Sequence, residues 1–134
     1  MPRKNTILDP SGHLGLNVSN FAESSKFYSK LFEVLGFKRI KLSENKAAWT
    51  TREGFGIWLY QSQTGQKKVS SAPGLQHLCF KAKTKTDVDK VYALLLKIKT
   101  RVFGEPKLMK EYLPNYYAVY FADPDGIKLE VAYY

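Results

Sequence analysis

The sequence predicts an α+β fold in which two βαβββ modules pair into a curved sheet around a cavity, and three observations carry that expectation. The first is an internal echo. Gly12-His13-Leu14-Gly15-Leu16 is answered by Leu75-Gln76-His77-Leu78-Cys79-Phe80, with the chain's two histidines in the same place. The second is a matching pair near the close of each half, Gly56-Ile57-Trp58-Leu59-Tyr60 against Gly126-Ile127-Lys128-Leu129-Glu130, so that Tyr60 answers Glu130. The third is that strand-like and helix-like periodicities run through the same order twice. A single βαβββ unit cannot bury both faces of its own sheet, so the repeat itself argues that the halves pack together.

The first module opens with a strand over 12–19. Asn20 and Glu23 then give an Asn-x-x-Glu helix start, and Phe27, Tyr28, Leu31, Phe32 and Leu35 follow at helical spacing up to Gly36, a natural stop. Strands are predicted over 37–42, 46–51 and 55–61, with Glu53-Gly54 as the turn between the last two. The stretch 62–74, rich in Ser, Gln, Gly, Lys and Pro, reads as a linker. In the second module a strand spans 75–82, and Thr86 with Asp89 opens a helix whose apolar side holds Val88, Val91, Leu94, Leu95 and Ile98. Strands follow near 101–103 and over 116–122 and 127–133, the last two joined by the turn Asp123-Pro124-Asp125-Gly126. Residues 104–115, with two prolines, are the least regular part and are placed to cover a pocket mouth.

At 134 residues and 44% hydrophobic content the chain fits one domain, with module one about 11–62, a linker at 63–73 and module two about 74–134. No apolar run approaches a signal peptide or a membrane span, so a cytoplasmic protein is expected. Cys79 is the single cysteine and cannot form an intrachain disulfide. The formal charge of +9 is spread over lysines without Arg-aromatic clusters, which argues against nucleic acid and for a field that attracts anionic small molecules. No phosphate loop, nucleophile elbow or Cys-x-x-Cys is present, so no nucleotide cofactor is expected.

A duplicated unit that sets an imidazole on the opening strand of each half, and a carboxylate on the closing strand of the second, is suited to gather metal ligands. Glu130 sits between Leu129 and Val131, where an unpaired buried carboxylate is costly; an ion pair with Lys128 or Arg39 at the rim is the alternative to a metal. Trp58 and Tyr60 share a strand face, either as an aromatic wall of a pocket or as ordinary sheet packing. Asn17 shares a face with His13, and Cys79 with His77. Tyr117 and Tyr120 are candidate substrate contacts, but their opposite parity means that only one can face the site.

Together His13 and His77, Phe27-Tyr28 before Leu35-Gly36-Phe37, and Phe121-Ala122-Asp123-Pro124-Asp125-Gly126 followed by Leu129-Glu130 resemble the vicinal oxygen chelate superfamily, over 12–133. That superfamily groups glyoxalase I, extradiol dioxygenases, methylmalonyl-CoA epimerase, fosfomycin-modifying transferases and bleomycin-resistance proteins. The resemblance implies metal ligands at His13, Tyr60, His77 and Glu130. Tyr60 departs from the Glu or Gln usual there, because a neutral phenol is a poor ligand. What remains is a His13, His77 and Glu130 set for a divalent metal (Fe, Mn, Ni or Zn). The implied activity is that of a metal-dependent lyase, isomerase or dioxygenase acting on a small substrate chelated through adjacent oxygens. In that activity Glu130 or Tyr60 serves as acid or base, and Asn17, Trp58, Tyr60 and Tyr120 contact the substrate. The alternative is a binding protein of the bleomycin-resistance type, without chemistry. A homodimer is expected, with His13 supplied either by the same chain as His77 and Glu130 or by a second copy.

Overall fold

The computed structural model describes residues 5–66 and 71–134. Both expected βαβββ modules are present. The first runs β1 (His13–Val18), α1 (Phe21–Leu35), β2 (Lys38–Leu42), β3 (Lys46–Thr50) and β4 (Gly56–Gln61), with sheet order β1-β4-β3-β2. The second runs β5 (Leu78–Lys81), α2 (Lys85–Lys97), β6 (Lys107–Leu108), β7 (Tyr117–Ala122) and β8 (Lys128–Tyr133), with order β5-β8-β7-β6. In each module the opening strand lies parallel to the closing one, a pairing that needs a crossover, and the helix supplies it. Each sheet is hydrogen-bonded within its own module, and the modules meet through their helices and core side chains.

Local chemistry explains the boundaries. Asn20 caps α1, its side chain accepting from the Glu23 amide at 3.2 Å, and Gly36 ends it at φ 88°. The cap of α2 is Thr84 with Asp87 rather than the expected Thr86 with Asp89. The spacing is the same but starts two residues earlier, and Asp89 instead accepts from the Tyr117 hydroxyl at 2.7 Å. The strand expected over 75–82 begins only at Leu78, which leaves His77 just ahead of it. The strand expected near 101–103 is reduced to one bridge between Val102 and Phe121. Gly104, at φ 120°, breaks the chain, and pairing resumes at β6 inside the segment expected to be irregular.

The helices cover one face of each sheet. Phe21, Phe27, Tyr28, Leu31 and Phe32 of α1 and Val88, Val91 and Leu95 of α2 join the inward residues of both sheets in one buried cluster. Phe32 spans the modules, its ring lying 5.1 Å from Trp49 and 5.8 Å from Phe80.

The Asp123-Pro124-Asp125-Gly126 turn does more than close a hairpin. Asp123 accepts from the Asp125 and Ile127 amides and, across to α1, from the Tyr28 hydroxyl at 2.7 Å. Asp125 accepts from the Ser19 amide at 2.8 Å and from the Ser19 hydroxyl. The turn of the second module thus completes the β1–α1 corner of the first. Burial raises the Asp123 carboxyl above its ordinary value, and burial together with the Asp123 charge pushes the Tyr28 phenol well up.

Candidate functional site

Strand parity puts the candidate residues on the sheet faces opposite the helices. On the first sheet Leu16, Val18, Ile57 and Leu59 turn inward, while His13 and Asn17 are exposed and Trp58 and Tyr60 half-buried. The parallel register sets His13 beside Gly56, Gly15 beside Trp58 and Asn17 beside Tyr60. The Trp58 and Tyr60 rings stack at 6.3 Å and 18°, and Lys46 Nζ lies 5.5 Å from the Tyr60 ring. Gly15 makes this possible, since a Cβ there would stand 3.3 Å from Tyr60 Cε2. Asn17 also lines a cavity of about 260 Å³ with Ser19, Leu75 and Asp125.

On the second sheet the centre is Glu130, 1% exposed. His77 Nε2 lies 3.2 Å from Glu130 Oε1, and the Tyr116 hydroxyl donates to Oε2 at 2.6 Å. Tyr120, opposite Glu130 in register, and Cys79, its parallel partner, also hydrogen-bond to the carboxylate. His77 Nδ1 meets the side-chain oxygen of Gln76, so both ring nitrogens are held. Tyr112 and Tyr134 pack on Tyr116 at 5.3 and 4.8 Å, which places Tyr112 of the segment before β7 beside the tyrosine that holds the carboxylate. Lys128 stands 4.9 Å over the Tyr120 ring and makes no ion pair with Glu130 among the described residues.

Burial raises both Tyr116 and Tyr120 above the ordinary phenol range, and their hydrogen bonds to Glu130 add to it. Burial, followed by the Glu130 charge, pushes the Cys79 thiol up to about 12, so at neutral pH it is a proton donor rather than a nucleophile.

One chain therefore brings His77, Glu130 and Tyr120 together but leaves His13, Asn17, Trp58 and Tyr60 on the other sheet. Among the described residues no three His, Cys, Asp or Glu side chains converge as metal ligands. Within a single chain the donor set thus falls one short of a metal site. Tyr117 points to α2, and Tyr120 is the tyrosine of that pair that faces the site. Tyr116 and Gln76 were not anticipated. Tyr116 shares the parity of Tyr120, which was the available signal, whereas the role of Gln76 depends on chain geometry ahead of β5.

The profile of the Glyoxalase/Bleomycin resistance protein/Dioxygenase superfamily matches residues 11–131, both modules from the first strand to the last. The chain belongs to this superfamily. Among superfamily folds, a glyoxalase/dioxygenase from Nostoc punctiforme superimposes with a TM-score of 0.73 at 20% identity, covering 98% of each chain. A lactoylglutathione lyase from Agrobacterium tumefaciens gives a TM-score of 0.64 at 20% identity over 90% of each. At such identities the likeness is one of fold. A virulence protein of Salmonella typhimurium is 27% identical over 129 residues, 96% of this chain and 86% of that protein.

Proposed function

We propose that the chain is a divalent-metal-dependent enzyme of the glyoxalase/dioxygenase type, acting on a small oxygen-rich substrate in a site completed by a second copy of itself. The observation that carries this is the division of the donors into two half-sites on outward sheet faces. His77 and Glu130 are in contact on one, while His13 stands exposed on the other beside the Trp58–Tyr60 stack. A homodimer that lays one outer face against the other would unite the three donors around one site. A bound Fe, Mn, Ni or Zn ion would supply Lewis-acid polarisation of two adjacent substrate oxygens. The chain's own contribution is to hold the surroundings. Gln76 orients His77, the Tyr116 and Tyr120 hydroxyls fix the Glu130 carboxylate, and Trp58, Tyr60 and Asn17 offer a flat wall with polar ends to the substrate. In this reading Glu130 or Tyr60 serves as the acid or base.

Metal content and solution mass of the parent, His13→Ala and His77→Ala test this. One metal per chain should disappear in each variant, with lower thermal stability in His77→Ala because the bound ion stabilises only the folded state. Subunits of the two variants, mixed and allowed to exchange, should regain one metal per mixed dimer, since one of its two sites has all three donors. Failure of the mixture to regain metal would rule out the shared site.

A second reading is favoured by one observation: Glu130 Oε2 already accepts from Tyr116 at 2.6 Å, and a carboxylate so satisfied needs no cation. In that case the face is a binding surface for flat aromatic molecules, without chemistry. A parent protein that takes up no metal on reconstitution, yet binds such compounds, would establish it.

A further inference from the structure

On the other side of the molecule, where α1 meets the end of α2, lies a cleft of about 590 Å³ remote from the outer sheet faces. Lys26, Lys30, Lys97, Lys99 and Arg101 line it, and none of the five is in an ion pair among the described residues. Glu23 stands at one edge, and Asp123 at the base is already occupied by Tyr28 and two backbone amides. The floor is apolar, with Phe27, Ile98 and Pro124.

The residue before Thr100 gives the cleft a second, independent mark. Both helices end in the same arrangement. Phe37 N bonds Phe32 O and Gly36 N bonds Glu33 O at the end of α1, while Thr100 N bonds Leu95 O and Lys99 N bonds Leu96 O at the end of α2. The position that must turn left-handed is Gly36 in the first module, at φ 88°, and Lys99 in the second, at φ 57°, the one non-glycine residue with positive φ among the described residues. A side chain there is strained, and glycine is the residue the turn itself prefers. Lys97 and Lys99 also complement the partial negative charge of the helix end. Arg101 also stands 5.0 Å over the Phe103 ring, whereas Lys26 and Lys30 have no such local reason and lie one helical turn apart on the same face of α1.

We infer that this cleft binds a phosphate-bearing small molecule of nucleotide size, its phosphates among the five cations and its apolar part on Phe27 and Ile98. The volume falls in the range of small-molecule sites, roughly 300–1,000 Å³. Recognition by side-chain cations requires no phosphate loop, so the absence of that motif does not bear on it.

The test is calorimetric titration with ATP and with inorganic tripolyphosphate at two salt concentrations. Both should bind, with affinity falling as salt rises, and tripolyphosphate should displace ATP. The double variant Lys30→Glu/Arg101→Glu should weaken ATP binding at least tenfold. Lys83→Glu/Lys110→Glu, which changes net charge equally but lies outside the cleft, should leave binding within twofold. His77→Ala should also keep it, which separates this site from the one proposed above. Equal weakening by the two double variants would reduce the effect to overall charge and overturn the cleft. So would absence of binding, or binding of duplex DNA alone. All substitutions are at exposed side chains, and circular dichroism of each variant checks that it folds.

Discussion

Glu130 shows how much one residue's surroundings decide. Its burial in an apolar strand would be costly if it stood alone, and the protein meets that cost with an imidazole, two phenols and a thiol. Cys79 reports on this arrangement. With its thiol pushed up to about 12, it should react with a disulfide reagent roughly tenfold or more slowly than an unperturbed cysteine. Glu130→Gln removes the nearby charge and should speed the reaction. A Cys79 that reacts like a free thiol in the parent protein would contradict the hydrogen-bonded arrangement. At this scale the sequence was partly legible. His77 and Glu130 could be read from the repeat, and Tyr120 from its parity. Tyr116 carries the same parity signal as Tyr120 within the strand expected over 116–122, but parity alone does not say that its hydroxyl reaches Glu130, and the separation of His13 from His77 depends on how whole sheets pack.

At the scale of elements, helix ends are where the chain's choices show. Thr84→Ala removes the acceptor for the Asp87 amide and should destabilise the protein by about 0.5–2 kcal/mol. Lys99→Gly relieves a left-handed side chain and should stabilise by roughly 0.5–1 kcal/mol, seen as a rise in the denaturation midpoint. If the cleft inference holds, the same change weakens tripolyphosphate binding, so stability and binding move in opposite directions. The helices, the hairpin turn and most strands were legible because periodicity and cap chemistry act over few residues. The Thr84/Asp87 cap was misplaced because two Thr-x-x-Asp registers overlap, and the local pattern is the same in both. The short β6 was missed because two paired residues leave no periodicity to read.

At the scale of the molecule, the two modules share a core and a set of long-range bonds but, among the described residues, no strand pairing. Tyr28→Phe leaves Asp123 one donor short in a buried place and should cost about 1–3 kcal/mol. The raised Asp123 carboxyl holds its proton to higher pH in the folded state than in the unfolded one. Its contribution to stability is therefore greatest below the ordinary value of 3.8 and is lost as pH rises through the raised folded value. Asp123→Asn lacks that dependence, so its stability relative to the parent should improve as pH rises across the window, measured by urea unfolding. A constant difference would mean that the carboxyl does not titrate differently on folding. That the halves belong together was legible from the repeat; that each keeps a separate sheet was not, because edge pairing between modules leaves no mark on period or composition. No helix among the described residues is long and apolar enough to cross a membrane. The Ser19–Asp125 and Tyr28–Asp123 bonds, with Phe32 packed against Phe80, have one more consequence: the covalent joint between the halves is dispensable in principle. Polypeptides 1–66 and 71–134, made separately and combined, should find each other and rebuild the native molecule.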